Sequence, residues 1–337
     1  MKRMAFLSVL VVLALTTGVT LTPARSATPA SGLLEYLPDG NAVVIIDFQK
    51  IAGSSLWATI NAQDKLKGEI DKAQSEMSNL GITLSDVHTV ALVFSGGSFS
   101  SRPTVAVSGG FEQNLLLERL RASGKIKLSS EKYKGIDIYK ATAIAAQSRP
   151  KAGTKSAAPA KITDVAKDET SFVFHDSATV VAGSLEAVRA SVDVKTGAKP
   201  GLTQNTQLSN ALSQNPSSAI RFALSLTSSM TNGLRSADLP VDFSSISMVF
   251  GTVDIGQSID LDATLRSDTV DNAKSLSEKL NSLLTLANGL VAFDPKLAAI
   301  GEALKTVRIV NAETDVRITG SLPMELLNSL ISSTAKK

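Results

Sequence analysis

The chain of 337 residues has no cysteine, two histidines and one tryptophan, and aromatic residues make up 4% of it. Each scarcity excludes something. Without cysteine there is no disulfide, no thiol nucleophile, no thiolate metal site and no cysteine-linked lipid anchor. Two histidines leave little material for a histidine-rich metal site or for a Ser-His-Asp triad. So few aromatics argue against a stacking platform for bases or sugars. Charge of one sign is also missing: the formal net charge is +3. Removing Lys2, Arg3 and Arg25 from the start takes it to zero, so a nucleic-acid footprint is not evident.

Long apolar runs are scarce too. One stands at the start, in "MKRMAFLSVLVVLALTTGVTLTPARSA". Lys2 and Arg3 precede an apolar run from Met4 to about Leu15, and small residues follow. That order is a secretory signal peptide, and the run is short for a membrane span. Ala24-Arg25-Ser26 is a small-x-small cleavage site, so residues 1–26 read as the leader. The mature chain is expected to be soluble, exported to the periplasm or beyond, and without a transmembrane segment.

Hydrophobic residues reach 43%, and with aromatics so few the core must be aliphatic. Pro38-Asp39-Gly40 is turn chemistry. A strand from Val43 to Phe48 follows, and then a helix or helix pair over 50–80. Leu56 and Ile60 share a face there, Leu66, Ile70, Ala73, Met77 and Leu80 continue at helical spacing, and Gly81 ends it. Strands over Val87–Phe94 and Thr104–Ser108 flank a Gly/Ser/Pro loop. Gly124 closes a short helix in "FEQNLLLERLRASG". Further strands lie in "KYKGIDIYKA" and "TSFVFHDSATVVAG". The helix "SLEAVRASVDVKTG" ends at Gly197.

The second half runs through the same order. "SSAIRFALSL" matches the opening strand and "ISMVFGTVDIGQSIDLDATLRS" the hairpin. The next helix puts Val270, Ala273, Leu276, Leu280, Leu283 and Ala287 on one stripe. A last helix is expected with Ser321 as its cap and Pro323 in its first turn. Val93-Phe94 recurs as Val249-Phe250, and Gly183-Ser184-Leu185 as Gly320-Ser321-Leu322. The second spacing is the shorter, by nearly the length of Gln147–Lys167. That tract of Ala, Lys, Pro and Ser has no apolar period and reads as a disordered insertion. The expectation is an α+β fold of two repeated antiparallel units, 27–200 and 201–337, with helices on one face. Whether the halves share one sheet is left open by pattern alone.

The pieces Leu37-Pro38-Asp39, Val90-Ala91-Leu92, Gly110-Phe111 with Leu116 and Leu120, and Ala182-Gly183-Ser184 with Ala187-Val188 stand in a particular order. In that order the chain resembles a group of uncharacterised secreted bacterial proteins. The group has no agreed activity, so the resemblance implies architecture only.

Candidate chemistry is sparse. In "VDIGQSIDLDATL" Asp260 and Asp262 alternate with Ile259, Leu261 and Leu265, Gly256-Gln257 supplies a turn, and Asp254 lies on the other arm of the hairpin. This is a strand pair with acids on its wet face, since the Asn/Asp-Gly loop and terminal Glu of a calcium site are absent. His88 and His175 lack partners at metal-ligand spacing. Ser98 lacks the strand-to-helix elbow of a hydrolase. Ser129-Ser130-Glu131-Lys132 and Lys195-Thr196-Gly197 fit two elements of penicillin-recognising serine enzymes, but the first lies in a strand-rich stretch and the second closes a helix. Gly96-Gly97 joins two strands, and Gly109-Gly110 lacks the phosphate-loop lysine or a dinucleotide pattern. Trp57 sits on an apolar stripe as a core or inter-lobe anchor. No cofactor or metal site is expected. The one feature left is the tract itself, where Arg149, Lys151, Lys155, Lys161 and Lys167 face only Asp164. It reads as a basic arm for an envelope protein or an anionic envelope polymer. The favoured function is therefore a non-catalytic exported binding or scaffold module of the bacterial cell envelope. A hydrolase with a dispersed Ser/Asp site, or a carrier of an apolar ligand between lobes, is the alternative.

Overall fold

The computed structural model describes residues 30–61, 64–80, 82–96, 102–144, 169–228, 230–231, 243–293 and 298–334. The leader with its cleavage site, Gly81, Gly97, Ser98 and the tract 147–167 lie outside these residues, as do the side chains of Leu66 and Ala73.

Twelve antiparallel strands form one sheet. In chain order they are β1 (Ala42–Asp47), β2 (Val87–Phe94), β3 (Thr104–Gly109), β4 (Ile126–Tyr133), β5 (Ile136–Ala143), β6 (Glu169–Phe174), β7 (Thr179–Gly183), β8 (Ile220–Ser225), β9 (Ile246–Ile255), β10 (Ser258–Ser267), β11 (Arg308–Ala312) and β12 (Asp315–Pro323). Their order across the sheet is 11-12-10-9-8-1-2-3-7-6-5-4. The halves therefore share one sheet, joined where β1 pairs with β8 from Ala42↔Leu224 to Ile46↔Ile220. An isolated bridge between Pro38 and Gly201 adds a second tie.

Helices cover both faces of this sheet, not one as expected. The reason lies in the central strands. Every residue of β3 is buried, and six of the eight in β2 are buried. Strands apolar on both sides need cover on both sides. On the front face, Val43, Ile45, Ala91, Val93, Val173 and Val181 pack under α1 (Ala30–Leu33), the turn Leu34–Tyr36, α6 (Leu185–Lys195) and α7 (Thr206–Ser213). On the back, Ile46, Val90, Leu92, Val105 and Val107 meet Phe48, Ile51, Trp57 and Met77. These come from α2 (Phe48–Ala52), α3 (Ser55–Asn61) and α4 (Asp64–Asn79). Trp57 is 2% exposed and stands edge-on to Phe48, a core anchor. Further along the back, α5 (Gln113–Ala122) covers Tyr139, Phe172 and Phe174. At the other end α8 (Val270–Phe293) covers Leu265 and Val316. Beside it lie α9 (Ala298–Thr306) and α10 (Met324–Thr334), and α10 also touches α3.

Local signals account for most boundaries. Gly124 and Gly197 take φ of 63° and 72° just past α5 and α6, a conformation that costs glycine little. Ser184 caps α6 by accepting from the Ala187 N–H. Lys134-Gly135, both at positive φ, make the two-residue turn of the β4–β5 hairpin.

Four expectations need correction. Val270 is 55% exposed, because it begins α8 beyond the edge of the back-face core. Leu261 is 38% exposed: α8 covers Leu265, while Leu261 at the start of β10 lies outside that cluster. Ser321 and Pro323 do not open the last helix. They belong to β12, whose ladder with β10 runs on through Asp260↔Ser321 to Ser258↔Pro323, and the helix starts at Met324. Finally, one insertion does not explain the different lengths of the halves. Among the described residues the first carries seven strands and the second five, while α8 and α9 stand where the first half has α5 and the β4–β5 hairpin.

Candidate functional site: a basic corner and a half-buried histidine

Arg149, Lys151, Lys155, Lys161 and Lys167 lie outside the described residues. The root of their tract is described. β5 ends at Ala143, and the Ile144 N–H then donates to Lys125 O at 2.8 Å. β6 begins at Glu169, whose carbonyl accepts from Arg102 at 2.7 Å. The end of α5 and the start of β4 bring Arg119, Arg121, Lys125 and Lys127 to the same corner, all exposed. Among the described residues, no side-chain hydrogen bond or ion pair engages these four. Sequence reasoning missed the quartet. Its signal, "ERLRASGKIK", is a short basic run that gains meaning only when β4 and β5 pair and set it beside the root of the tract.

His175 stands at the turn between β6 and β7. Its Nε2 is 2.7 Å from the Ser191 hydroxyl on α6. That geometry resembles a nucleophile and its base, and the chemistry contradicts it. The Ser191 hydroxyl donates its own proton to Tyr36 O at 2.5 Å, so it accepts from His175. The imidazole therefore carries its proton on Nε2 and cannot remove one from Ser191. Ser191 is also fully buried. Asp176 does not orient the imidazole; it accepts from the Tyr36 hydroxyl at 2.9 Å and from the Ala178 N–H at 2.8 Å. The Tyr36 ring stacks on His175 with centroids 4.9 Å apart, and Lys195 Nζ lies 4.4 Å from the Tyr36 centroid. The group is a latch that pins the N-terminal strap to α6 and the sheet. Burial, with Lys195 adding to it, lowers the His175 pKa to about 4. His175 Nδ1 is buried with no partner among the described residues. A second tie holds the end of α6. Lys134, Tyr133 and Lys199 converge on Asp193, and the Lys134 contact, first among them, brings its carboxyl down to about 2.

The other sequence candidates resolve as follows. Ser129 and Lys132 sit three apart on a strand, so they point to opposite faces, and Lys132 pairs with Asp137 at 2.9 Å. Lys195-Thr196-Gly197 closes α6. Asp254 and Asp260 are cross-strand neighbours on the front of the β9–β10 hairpin. Asp254 accepts from Ser218 and Asn215, Asp260 from Ser258, and Asp262 forms a two-pronged pair with Arg317. They line an open cavity of about 360 Å³ with Thr252, Thr319 and Ser321. Among the described residues no three His, Asp or Glu side chains are placed to hold a metal ion. No described helix is long and apolar enough to cross a membrane.

The fold defines an α+β protein built on a single twelve-stranded antiparallel sheet. No family model matches the sequence, and no curated protein matches it. Solved structures of TP0453 are similar to it in overall shape. Crystal form III of TP0453 is 12% identical, with a TM-score of 0.49 over 91% of this chain and 99% of that one. Crystal form I is 12% identical with a TM-score of 0.45, covering 92% and 98% of the two chains. Crystal form IV is 13% identical, also at 0.45, covering 91% and 97%.

Proposed function

We propose that this chain is an exported, non-catalytic module of the bacterial cell envelope that binds another macromolecule through its basic corner. The observation that carries the reading is the quartet Arg119, Arg121, Lys125 and Lys127, exposed and, among the described residues, unengaged beside the root of a tract with five more cations. Unpaired cations on a rigid edge attract an anionic surface over about 8–10 Å at ordinary salt. The partner class is an acidic envelope protein or an anionic envelope polymer. Export rests on the basic start, the short apolar run and the small-residue site before Ala27.

The reading of two repeated units belongs here as well. The run β1-β2-β3 and the run β8-β9-β10 extend in opposite directions from the β1–β8 junction, each followed by helix and then hairpin. That order supports duplication, with the β4–β5 hairpin as an addition to the first copy.

The test is capture of envelope material by the purified mature chain and by a variant with Arg119, Arg121, Lys125 and Lys127 all changed to Glu. The intact chain should retain anionic material, less so as salt rises, and the variant should lose it. Equal capture by both, at low and high salt, would sink the reading.

A further inference from the structure

The basic corner lies along a free sheet edge. β4 is the outermost strand on its side, eight residues long, whereas β11 at the opposite edge has five. Its pairing with β5 runs without a break from Ile126↔Ala143 to Tyr133↔Ile136. It has no proline and no bulge, two of the devices that blunt an edge; the charge it carries is the third. Backbone groups on the outer side of such a strand point away from its single neighbour. Among the described residues nothing pairs with that side.

The side chains along β4 are not uniform. On the front row, Lys127 is exposed and unengaged among the described residues, and Ser129 is exposed. Glu131 on the same row is already matched by two cations, Lys140 at 2.6 Å and Arg189 at 2.6 Å. Those contacts hold its carboxyl below the usual carboxylate range. The row is thus positive in balance, and Lys125 just before β4, with Arg119 and Arg121 on the back-face helix α5, places further positive charge near its Ile126 end. On the back row, Ile126 and Leu128 are half-buried and pack on the cluster under α5. An edge that is cationic on one row and apolar on the other suits a strand that alternates acidic and apolar residues.

We infer that β4 accepts an extended segment of an acidic protein partner as a thirteenth strand, with its acids over Lys127 and its apolar side chains against Ile126 and Leu128. This rests on the binding reading above and narrows its partner to a protein. A second copy of this chain is the poorer occupant. Pairing two β4 edges would bring two sets of Arg119, Arg121, Lys125 and Lys127 to one seam, and like charges across an interface oppose association. Lysine on an edge also discourages unwanted pairing. Here the same charge selects: it repels another cationic edge and admits an acidic one.

The probe is a labelled octapeptide of alternating Glu and Val, read by fluorescence anisotropy with the intact mature chain. Its control is the same peptide N-methylated at alternate positions, which keeps the charge and removes backbone donors. Three results are expected: saturable binding of the first peptide only, slowed amide exchange over 126–133, and binding weaker by on the order of tenfold in Lys127→Glu. The N-methylated control works on the unaltered chain, so the test survives if that variant misfolds. Equal binding of both peptides, matched by inorganic polyphosphate, would leave the basic corner standing and overturn the strand addition. Self-association that protects 126–133 without peptide would overturn it in favour of a second copy. Failure of both peptides and polyphosphate to bind, with capture of envelope material unchanged in the four-fold Glu variant, would remove both readings.

Discussion

Acid should loosen this protein through one side chain. His175 is largely buried against Tyr36 and Ser191, with Lys195 nearby, and its pKa falls from 6.5 to about 4. In the unfolded chain it returns to the ordinary value. Between pH 6.5 and 4 the unfolded state therefore binds the extra proton, and stability falls as pH falls through that window. A depression of this size makes folding weaker by about 3 kcal/mol at pH 4 than at pH 7. Asp176 has its own pKa lowered, burial being outweighed by the Ala178 N–H and the Tyr36 hydroxyl, so its stabilisation is lost only below the usual carboxylate range. Urea unfolding between pH 7 and 4, followed by circular dichroism, measures the slope. The His175→Gln variant keeps a donor toward Ser191 and cannot titrate, so its slope over the window should be smaller by that same amount. Identical slopes in the two proteins would refute the burial argument. Ser191→Ala should cost about 2–4 kcal/mol at pH 7, since it leaves Tyr36 O and the His175 donor unpaired in the interior. Loss of a hydrolytic activity without loss of stability in that variant would instead restore the catalytic reading.

Other expectations are simpler. Leu265→Ala should cost about 2–4 kcal/mol and Leu261→Ala less than about 1, because only the first lies under α8; thermal melts decide, and equal costs would contradict the described cover. Replacing 147–167 by a short Gly/Ser link should leave the melting temperature nearly unchanged, since closure entropy grows by only about 0.6 kcal/mol per doubling of loop length; a variant that fails to fold would make the tract structural. Intact mass of the exported chain should show cleavage between Ala24 and Ala30. Cleavage beyond Leu33 would discard a side chain with no exposed surface, and Leu33→Ala should itself cost about 2–5 kcal/mol.

Much of the local structure could be read from the residues. The nearly continuous apolar run of β2 marks its limits at Val87 and Phe94, and glycines just past the apolar stripes end α5 and α6. These features depend on backbone preferences and on alternation within a few residues, which a sequence states openly. The α+β class, the order of elements and the acids on the front of β10 follow from the same short-range rules. Pairing partners did not. Any apolar strand can pair with any other, and only the assembled sheet set β1 against β8, some 180 residues away along the chain. Once both faces of the central strands needed cover, helices had to divide between front and back. That division left Leu261 and Val270 in solvent despite their place in the pattern. The same long-range contacts made the site. Ser191, His175 and Tyr36 come from three separate segments and carry no shared spacing, so no motif announces them. Likewise Arg119, Arg121, Lys125 and Lys127 are an ordinary basic run until β4 becomes the outer edge of the sheet and turns that run into a surface.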